Sequence, residues 1–276
     1  MKNDIQITKV GKENSFEEIP QNYLLAALGS FFTEVAAISI FTARLFKESI
    51  KPPYEFKELV KQCYTIGYKS FPLVAITGFI MGLVLTIQSS PTLAEFGAES
   101  WLPAMVAVSI IREIGPVITA LICAGKVGSG IGAELASMRV TEQIDAMEVS
   151  GVNPFKYIIV TRVIATTVMV PVLVIVADAI SLYGSYVGVN LNGDVSFQLF
   201  FSQVFEALNF QDIFSALAKT FVFGFAIGLI GCYKGYYSGH GTVGVGKAAN
   251  SAVVLGSLLV FIVDMVAVQL TSLLSR

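Results

Sequence analysis

Charged side chains interrupt two of the most apolar stretches of the chain. Arg112 and Glu113 are adjacent in the run MVAVSIIREIGPVITALIC, and Lys219 lies several residues into the apolar stretch 213–232. A charge at the bilayer centre costs about 3 kcal/mol on insertion scales, so such residues are usually paired or face a cavity. Arginine offers phosphate a forked donor, and lysine offers a point charge. These residues predict a polar lining that holds an anionic headgroup between apolar walls. The alternative is a set of structural ion pairs or of interface residues.

The remaining polar residues suggest no catalytic set. Asp178 and Asp264 interrupt two further apolar stretches, and we assign them to packing or helix ends without a functional role. The single histidine, His240, lies in a glycine-rich polar segment without neighbouring ligands, and the three cysteines lack CxxC or metal-ligand spacing. We therefore predict no metal site, no cofactor and no enzymatic activity.

Two glycine-rich runs imitate nucleotide-binding motifs. The run GSGIGA at 128–133 fits a loose dinucleotide fingerprint, but that motif needs a preceding strand, and an apolar span precedes it here. We predict a turn that leaves the membrane. The run GTVGVGKA at 241–248 resembles a P-loop, yet Ala248 stands where a hydroxyl would ligate Mg²⁺. We predict that this chain does not hydrolyse ATP itself.

The composition indicates an integral membrane protein. Of 276 residues, 54% are hydrophobic and only 14% are charged, against about 25% charged in soluble domains. A helix of about 20 residues crosses a hydrocarbon core. Five apolar stretches meet this length, at 71–89, 103–124, 157–183, 213–232 and 251–274. The predicted fold is all-α, and a net charge of -2 gives no basic field for nucleic acid.

The N-terminal part differs from the five spans. We predict a cytoplasmic tail at 1–22, then interfacial and elbow helices at 23–69, and a five-span body at 70–276. Segment 23–45 is apolar but contains Glu34 and ends among basic residues, so we place it in the membrane interface. A sixth span is the alternative. Segment 54–69 carries lysines among aromatic residues, which suits anionic headgroups.

Loop charges predict the orientation. Loops 93–102 and 190–212 hold acidic residues but no Lys or Arg, whereas 125–156 and 233–250 contain several basic residues. By the positive-inside rule the latter are cytoplasmic, which puts the N-terminus inside and the C-terminus outside. Three GxxxG pairs, Gly78/Gly82, Gly184/Gly188 and Gly224/Gly228, predict close packing of the spans on one another or on a second copy.

A short amphipathic helix is predicted between the second and third spans. Its apolar stripe has helical spacing and comprises Val140, Ile144, Met147 and Gly151. An acidic stripe beside it comprises Glu142, Asp145 and Glu148. Anionic lipid would repel that stripe, so a groove on a protein partner is the better hypothesis.

The run REIGPVITALICAGKVGSGIGAELASMRVTEQIDAMEVSGVNP, with GFIMGLVLTIQ upstream, closely resembles the MlaE/YrbE-type permeases that work with MCE proteins. The resemblance extends from about residue 53 to the C-terminus. It implies a homodimeric, multi-pass inner-membrane permease with an interfacial helix and five spans per protomer. A separate ABC ATPase would bind ATP, a periplasmic MCE-domain protein would sit opposite, and the cargo would be phospholipid or a similar hydrophobic molecule.

The resemblance also assigns residues. Arg112, Glu113 and Lys219 match a charged cluster of the family near its cavity, and we add Leu85 and Gln88 as lining residues between the first, second and fifth spans. Helix 141–149 resembles the family's coupling helix, and the coupling residues would be Arg139, Glu142, Asp145 and Glu148. Two alternatives are an ion-coupled secondary transporter of an amphipathic anion and a membrane-embedded lipid enzyme.

Overall fold

The structure, a computed structural model, describes residues 21–52, 54–191, 193–239 and 241–274. These residues form helices, and no strand occurs among them. Most of the predicted tail, residues 1–20, lies outside the described residues, as does His240. Helix α1 is Gln21–Ile50. The chain divides into two compact units, residues 1–41 and 42–276, and the site described below belongs to the second.

Five helical segments are long and apolar enough to cross a membrane, as predicted. They are Phe56–Glu95, Glu99–Val140, Phe155–Val189, Phe210–Tyr236 and Thr242–Leu273. Each segment is longer than the apolar stretch from which it was predicted, because the helices continue beyond their hydrophobic centres. The described chain is thus an all-α integral membrane protein. The interfacial placement of α1 stays a prediction.

The first and third spans are nearly unbroken helices. The first span is α2, Phe56–Glu95, so the cationic segment 54–69 and the first predicted span form one helix with Pro72 inside it.

The second span is interrupted. It contains α3, Leu102–Ser109, α4, Gly115–Cys123, and α5, Ser129–Val140, joined by two π-helical turns. A short α6, Gln143–Val149, follows, and α7, Thr161–Asn190, forms most of the third span.

The rest of the chain adds three helices. Helix α8, Phe197–Ala207, packs on α3. Helices α9, Phe210–Tyr236, and α10, Thr242–Leu274, are the fourth and fifth spans. Along the body, α2 packs on α7, α7 on α9, and α9 on α10.

The GxxxG pairs lie at helix contacts within this one chain. A β-carbon added at Gly82 would overlap the carbonyl of Ser181 on α7, and one at Gly184 would overlap the carbonyl of Phe79 on α2. Gly224 and Gly228 meet Thr166 in the same way. Small residues let helix backbones approach closely in lipid. Of the two uses predicted for these glycines, the structure shows packing of the spans on one another.

The predicted turn at 128–133 is wrong, because this segment is helical. A β-carbon at Gly231 of α9 would lie 2.9 Å from the Gly128 carbonyl oxygen, and one at Gly235 would lie 2.8 Å from that of Gly132. The glycines therefore let α9 approach the second span closely. Their role is helix packing, and the chain does not turn out of the membrane there.

Helix α6 begins later than predicted. Glu142 adopts a left-handed conformation, φ 58°, at the N-cap, so Val140 and Thr141 precede the helix rather than belonging to it. At the other end Gly151, with φ 78°, and Val152 donate backbone hydrogen bonds to the carbonyls of Glu148 and Met147. This Schellman arrangement ends the helix where the glycine predicted.

Candidate functional site

Lys219 lies at the centre of a buried ion-pair cluster. Its side chain is 5% exposed, and its Nζ lies 2.7 Å from Glu113 Oε2 and 2.9 Å from Asp264 Oδ1. These three residues come from the second, fourth and fifth spans. Burying a charge is tolerated when it is paired and hydrogen-bonded, and two carboxylates satisfy this ammonium. Its charge is therefore already engaged in this conformation.

Arg112 and Glu113 occupy a π-helical turn, Ile110–Ile114. Pro116 follows two residues later; it has no N–H, and its ring would clash with the carbonyl of Arg112 four positions earlier in a regular helix. The Gly115 N–H accordingly bonds to the Ile110 carbonyl, five residues back. Such π-turns are rare and frequently mark functional sites. Here the turn carries both charged residues of the second span.

Arg112 is the more accessible cation. Its side chain is 52% exposed, and its Nε lies 3.4 Å from Asp212 Oδ1 at the start of α9. An ion pair this exposed is weak, so most of the guanidinium's donors stay open to another anion. Glu113, 44% exposed, also reaches the open side of the cluster.

These side chains line a cavity of about 530 Å³. It lies between the middle of the second span, the first turns of α9 and the last turns of α10, where Ala267, Val268 and Thr271 form a largely apolar wall. Small-molecule sites measure about 300–1,000 Å³ and are mostly apolar with a few polar groups. Charged groups on one wall and apolar groups on another suit an amphipathic ligand.

Asp264 and Asp212 were missed as members of this site. The sequence assigns Asp264 to packing or a helix end, although a carboxylate and an ammonium within membrane spans are expected to pair. Asp212 precedes Lys219 by seven residues, two helical turns, which places both on the same face of α9. That spacing was the available signal. Asp178 forms none of these ion pairs, and its carboxylate faces Gly115.

Two predicted lining residues lie elsewhere in this single chain. Leu85 packs against the apolar cluster around Val106, Ile110 and Phe200, and Gln88 is exposed on α2. Neither lines the cavity, whose walls come from the second, fourth and fifth spans. A role for Leu85 and Gln88 in a cavity between two copies stays a prediction.

The glycine run 241–248 does not have P-loop geometry. Gly241, with φ 84°, precedes Thr242, where α10 begins, so the glycines and Lys247 stand on a helix. Within the described ranges no strand precedes it. In the same ranges no group of three His, Cys, Asp or Glu side chains is placed to hold a metal ion.

The predicted coupling residues lie at the end of the body opposite the cavity. Ile144 is fully buried and anchors α6, whereas Glu142, Asp145 and Glu148 are exposed. Val149 is 91% exposed beside them. The helix thus has an exposed acidic face, as predicted, but Ile144 is the one buried residue of the predicted apolar stripe.

A long, exposed ion pair reaches α6, and a short one joins the helices before and after it. Arg139 Nη1, at the end of α5, lies 3.9 Å from Asp145 Oδ1, and its guanidinium carbon lies 5.9 Å from the centre of the Tyr236 ring. Arg162, 4% exposed at the start of α7, donates a 2.8 Å hydrogen bond from Nη2 to Glu134 Oε1 of α5. The helices before and after α6 are therefore tied together.

Comparison with known proteins gives consistent results. The family model described as Permease MlaE matches residues 59–270. A probable ABC transporter permease protein of Rickettsia prowazekii is 40% identical over 87% of this chain and 93% of the relative. A probable ABC transporter permease protein of Synechocystis is 32% identical over 86% of this chain and 90% of the relative.

A third relative has a more specific name. The intermembrane phospholipid transport system permease protein MlaE of Haemophilus influenzae is 34% identical over 84% of this chain and 88% of the relative. The region matched by the family model contains the second, third and fourth spans, nearly all of the first and fifth, the ion-pair cluster and α6. This chain therefore belongs to the MlaE family of ABC transporter permeases.

Proposed function

We propose that this chain is the membrane subunit that moves phospholipid, or a similar hydrophobic molecule, between the inner membrane and an MCE-type periplasmic partner. A separate ATPase supplies the energy and binds the ATP, and the permease itself catalyses no reaction. Membership of a family of ABC permeases favours ATP as the energy source over an ion gradient. The name of the Haemophilus relative supports phospholipid as the cargo.

The observation that carries this proposal is the amphipathic cavity. In our proposal Arg112 binds the headgroup phosphate, because its donors are accessible, while Lys219 holds Glu113 and Asp264 in place. This division of roles is supported by the exposures, 52% for Arg112 and 5% for Lys219. Charge-assisted hydrogen bonds to phosphate are the strong polar contacts in such a site.

A second copy completes the transporter in this proposal. The cavity of about 530 Å³ suits a headgroup, so the acyl chains need further apolar surface. The first and fifth spans bury only 28% and 17% of their apolar windows within one chain, against 56% for the fourth. Their free faces are suited to a partner copy, and Gln88 is exposed on the first of them.

The two ends of the body have separate tasks in this proposal. The α6 end faces the cytoplasm and docks on the ATPase, and the cavity end faces the MCE protein. The N-terminus is then cytoplasmic and the C-terminus periplasmic. Closure of the ATPases displaces α6 and collapses the cavity. Such coupling requires that ATP and lipid prefer different states of the complex.

The test is ATP-dependent transfer of labelled phospholipid from vesicles that contain the reconstituted complex. Arg112→Gln should lower transfer about tenfold, since a hydrogen bond to a charged group contributes about 1.5–3 kcal/mol. Arg112→Lys should retain part of the activity. Lys57→Gln, which removes an exposed cation of α2 outside the cavity, is the matched control and should transfer normally.

The complexes must also be shown to assemble and hydrolyse ATP. Full transfer by Arg112→Gln would refute the headgroup role. Transfer without any ATPase subunit, driven by an ion gradient, would refute the proposed energy source, and a chemically altered lipid product would identify an enzyme instead.

A further inference from the structure

A second cavity lies at the start of the third span, far from the ion-pair cluster. Its volume is about 310 Å³, and it separates the first turn of α2 from the π-helical turn Phe155–Val160 and the start of α7. Leu59, Val160 and Ile164 form apolar walls, and the aromatic residues Tyr54 and Phe56 stand beside them. Nothing in the proposed transport cycle uses this cavity.

One buried cation lines the cavity. Lys156 is 8% exposed, and its ammonium donates a hydrogen bond to the Lys51 carbonyl oxygen. The Nζ also lies 5.5 Å from the centre of the Tyr54 ring. Within the part of the chain that the structure describes, no carboxylate oxygen lies within 4 Å of it.

The nearby carboxylates do not neutralise this lysine. Glu48 is engaged by Lys51, at 2.9 Å, and by the side-chain amide of Asn153, at 3.2 Å. The hydrogen bond from Lys51 holds the pKa of Glu48 below its usual value. Glu55 lines the same cavity but forms no ion pair with Lys156. A buried cation without a counter-charge is costly, so an anion is expected at its side.

The position of the cavity indicates what supplies that anion. Lys156 is the second residue of a 35-residue span, which at 1.5 Å per residue is about 52 Å long and exceeds the hydrocarbon core of about 30 Å. The first turns of this span therefore lie at the level of the headgroups. A cation beside apolar walls at that level matches a phosphate joined to acyl chains.

We infer that this cavity binds one phospholipid of the surrounding membrane, with its phosphate on Lys156 and an acyl chain along Leu59, Val160 and Ile164. The lipid is a resident ligand that joins the end of α1 to α2 and α7, and it is distinct from the transported lipid. The site lies at the same end of the body as α6. Bound lipid therefore stabilises the region that carries the coupling helix.

The experiment uses the full chain purified in detergent, stripped of lipid by extended washing. Dioleoyl phosphatidylglycerol is then added. We measure the melting temperature, and native mass spectrometry counts the bound lipids. The wild type should retain one lipid per chain and melt several degrees higher with it. Glycerol 3-phosphate alone and dioleoylglycerol alone should each fail, because one lacks the tails and the other lacks the phosphate.

Variants separate the site from general attraction to headgroups. Lys156→Gln should lower lipid affinity roughly tenfold, whereas Lys47→Gln, which removes an exposed cation of α1, should not. Ile164→Phe fills the cavity and leaves Lys156 intact, so it should also abolish binding even if Lys156→Gln fails to fold. Glu55→Gln should strengthen binding, because it removes a negative charge beside the phosphate.

Equal lipid retention by the wild type and by Ile164→Phe would overturn the inference, as would stabilisation by glycerol 3-phosphate alone. Arg112→Gln should leave this lipid bound. A failure of the transport proposal and a failure of this site are thereby distinguishable.

Discussion

Among the described residues, Lys219 is the one side chain whose ion pairs connect three spans. Its partners Glu113 and Asp264 come from the second and fifth spans. Removal of one partner from a buried pair is strongly destabilising because it leaves a charge without compensation. The cluster therefore holds the cavity walls together.

Lys219→Met should destabilise the protein by about 3 kcal/mol, since it leaves the partly buried carboxylate of Asp264 without its cation. Thermal unfolding in detergent measures this as a lower melting temperature. The triple variant Lys219→Met, Glu113→Gln, Asp264→Asn should recover part of the loss, because the uncompensated carboxylates are removed together. A triple variant no more stable than Lys219→Met would contradict the ion-pair account.

Sequence reasoning found three of the five charged residues of this site. The apolar surroundings of Arg112, Glu113 and Lys219 made their charges conspicuous, and the structure brings these three residues into one cavity. Asp264 lies 45 residues from Lys219 in the chain, and no local pattern reports a contact over that separation. Local spacing could have found Asp212, because it shares a helix face with Lys219.

At the scale of helices, glycine contacts determine which spans touch. The α2–α7 contact uses glycine from both helices, and hydroxyl groups add to it: Ser181 donates to the Gly78 carbonyl at 2.8 Å, and Thr86 bonds to Ser185 at 2.7 Å. Such contacts partly replace the hydrophobic effect, which does not drive helices together in lipid.

Gly82→Ala should lower stability by about 1–3 kcal/mol, the usual cost of overpacking, because its new methyl group would overlap the Ser181 backbone. Gly246→Ala is the matched control: nothing lies within 4 Å of its added β-carbon, and alanine favours a helix over glycine. The two melting temperatures should move in opposite directions. Equal stability of both variants would show that the α2–α7 contact is not tight.

The number of spans could be predicted from the sequence, but the path of the second could not. Hydrophobic length alone identifies five crossings. The glycines at 128–132 predicted a turn because glycine is common where helices end. Such a glycine can end a helix, or it can lie inside a helix where a neighbouring helix packs closely. The second case applies here, because Gly231 and Gly235 of α9 contact this segment.

Helix α6 provides a prediction at this same scale. The double variant Glu142→Lys, Glu148→Lys reverses the charge of the exposed face of α6. It should abolish docking on the ATPase, because the proposed docking surface is complementary to an acidic face and would repel a basic one. The chain should still insert and fold.

The control is the double variant Glu95→Lys with Glu99→Lys, whose two residues are exposed at the opposite end of the body. Co-purification of the ATPase and lipid-stimulated turnover are measured, and full turnover by the α6 variant would refute docking there.

For the whole molecule, the important quantity is the distance between the two proposed working ends. Tyr236, beside Arg139, follows Lys219 by 17 residues on α9, so about 26 Å of helix separates them. Gly231 and Gly235 let the last turns of α9 pack closely on the second span, and the hydrogen bond between Arg162 and Glu134 joins α7 to α5. In the proposed cycle, a displacement of α6 would therefore reach the cavity through helices rather than through loops.

The second copy is tested by cysteine cross-linking in a chain whose three native cysteines are replaced. Phe261→Cys on α10 and Ile80→Cys on α2 occupy exposed faces of the two least buried spans, whereas Ile175→Cys occupies an exposed face of the third. A disulfide requires two α-carbons within roughly 7 Å. Residues near a two-fold axis meet their own copies, so oxidation in membranes should yield dimers from α10 or α2 and not from Ile175→Cys. Dimers from Ile175→Cys alone would move the interface to α7, and the cavity of each copy would then face lipid rather than its partner.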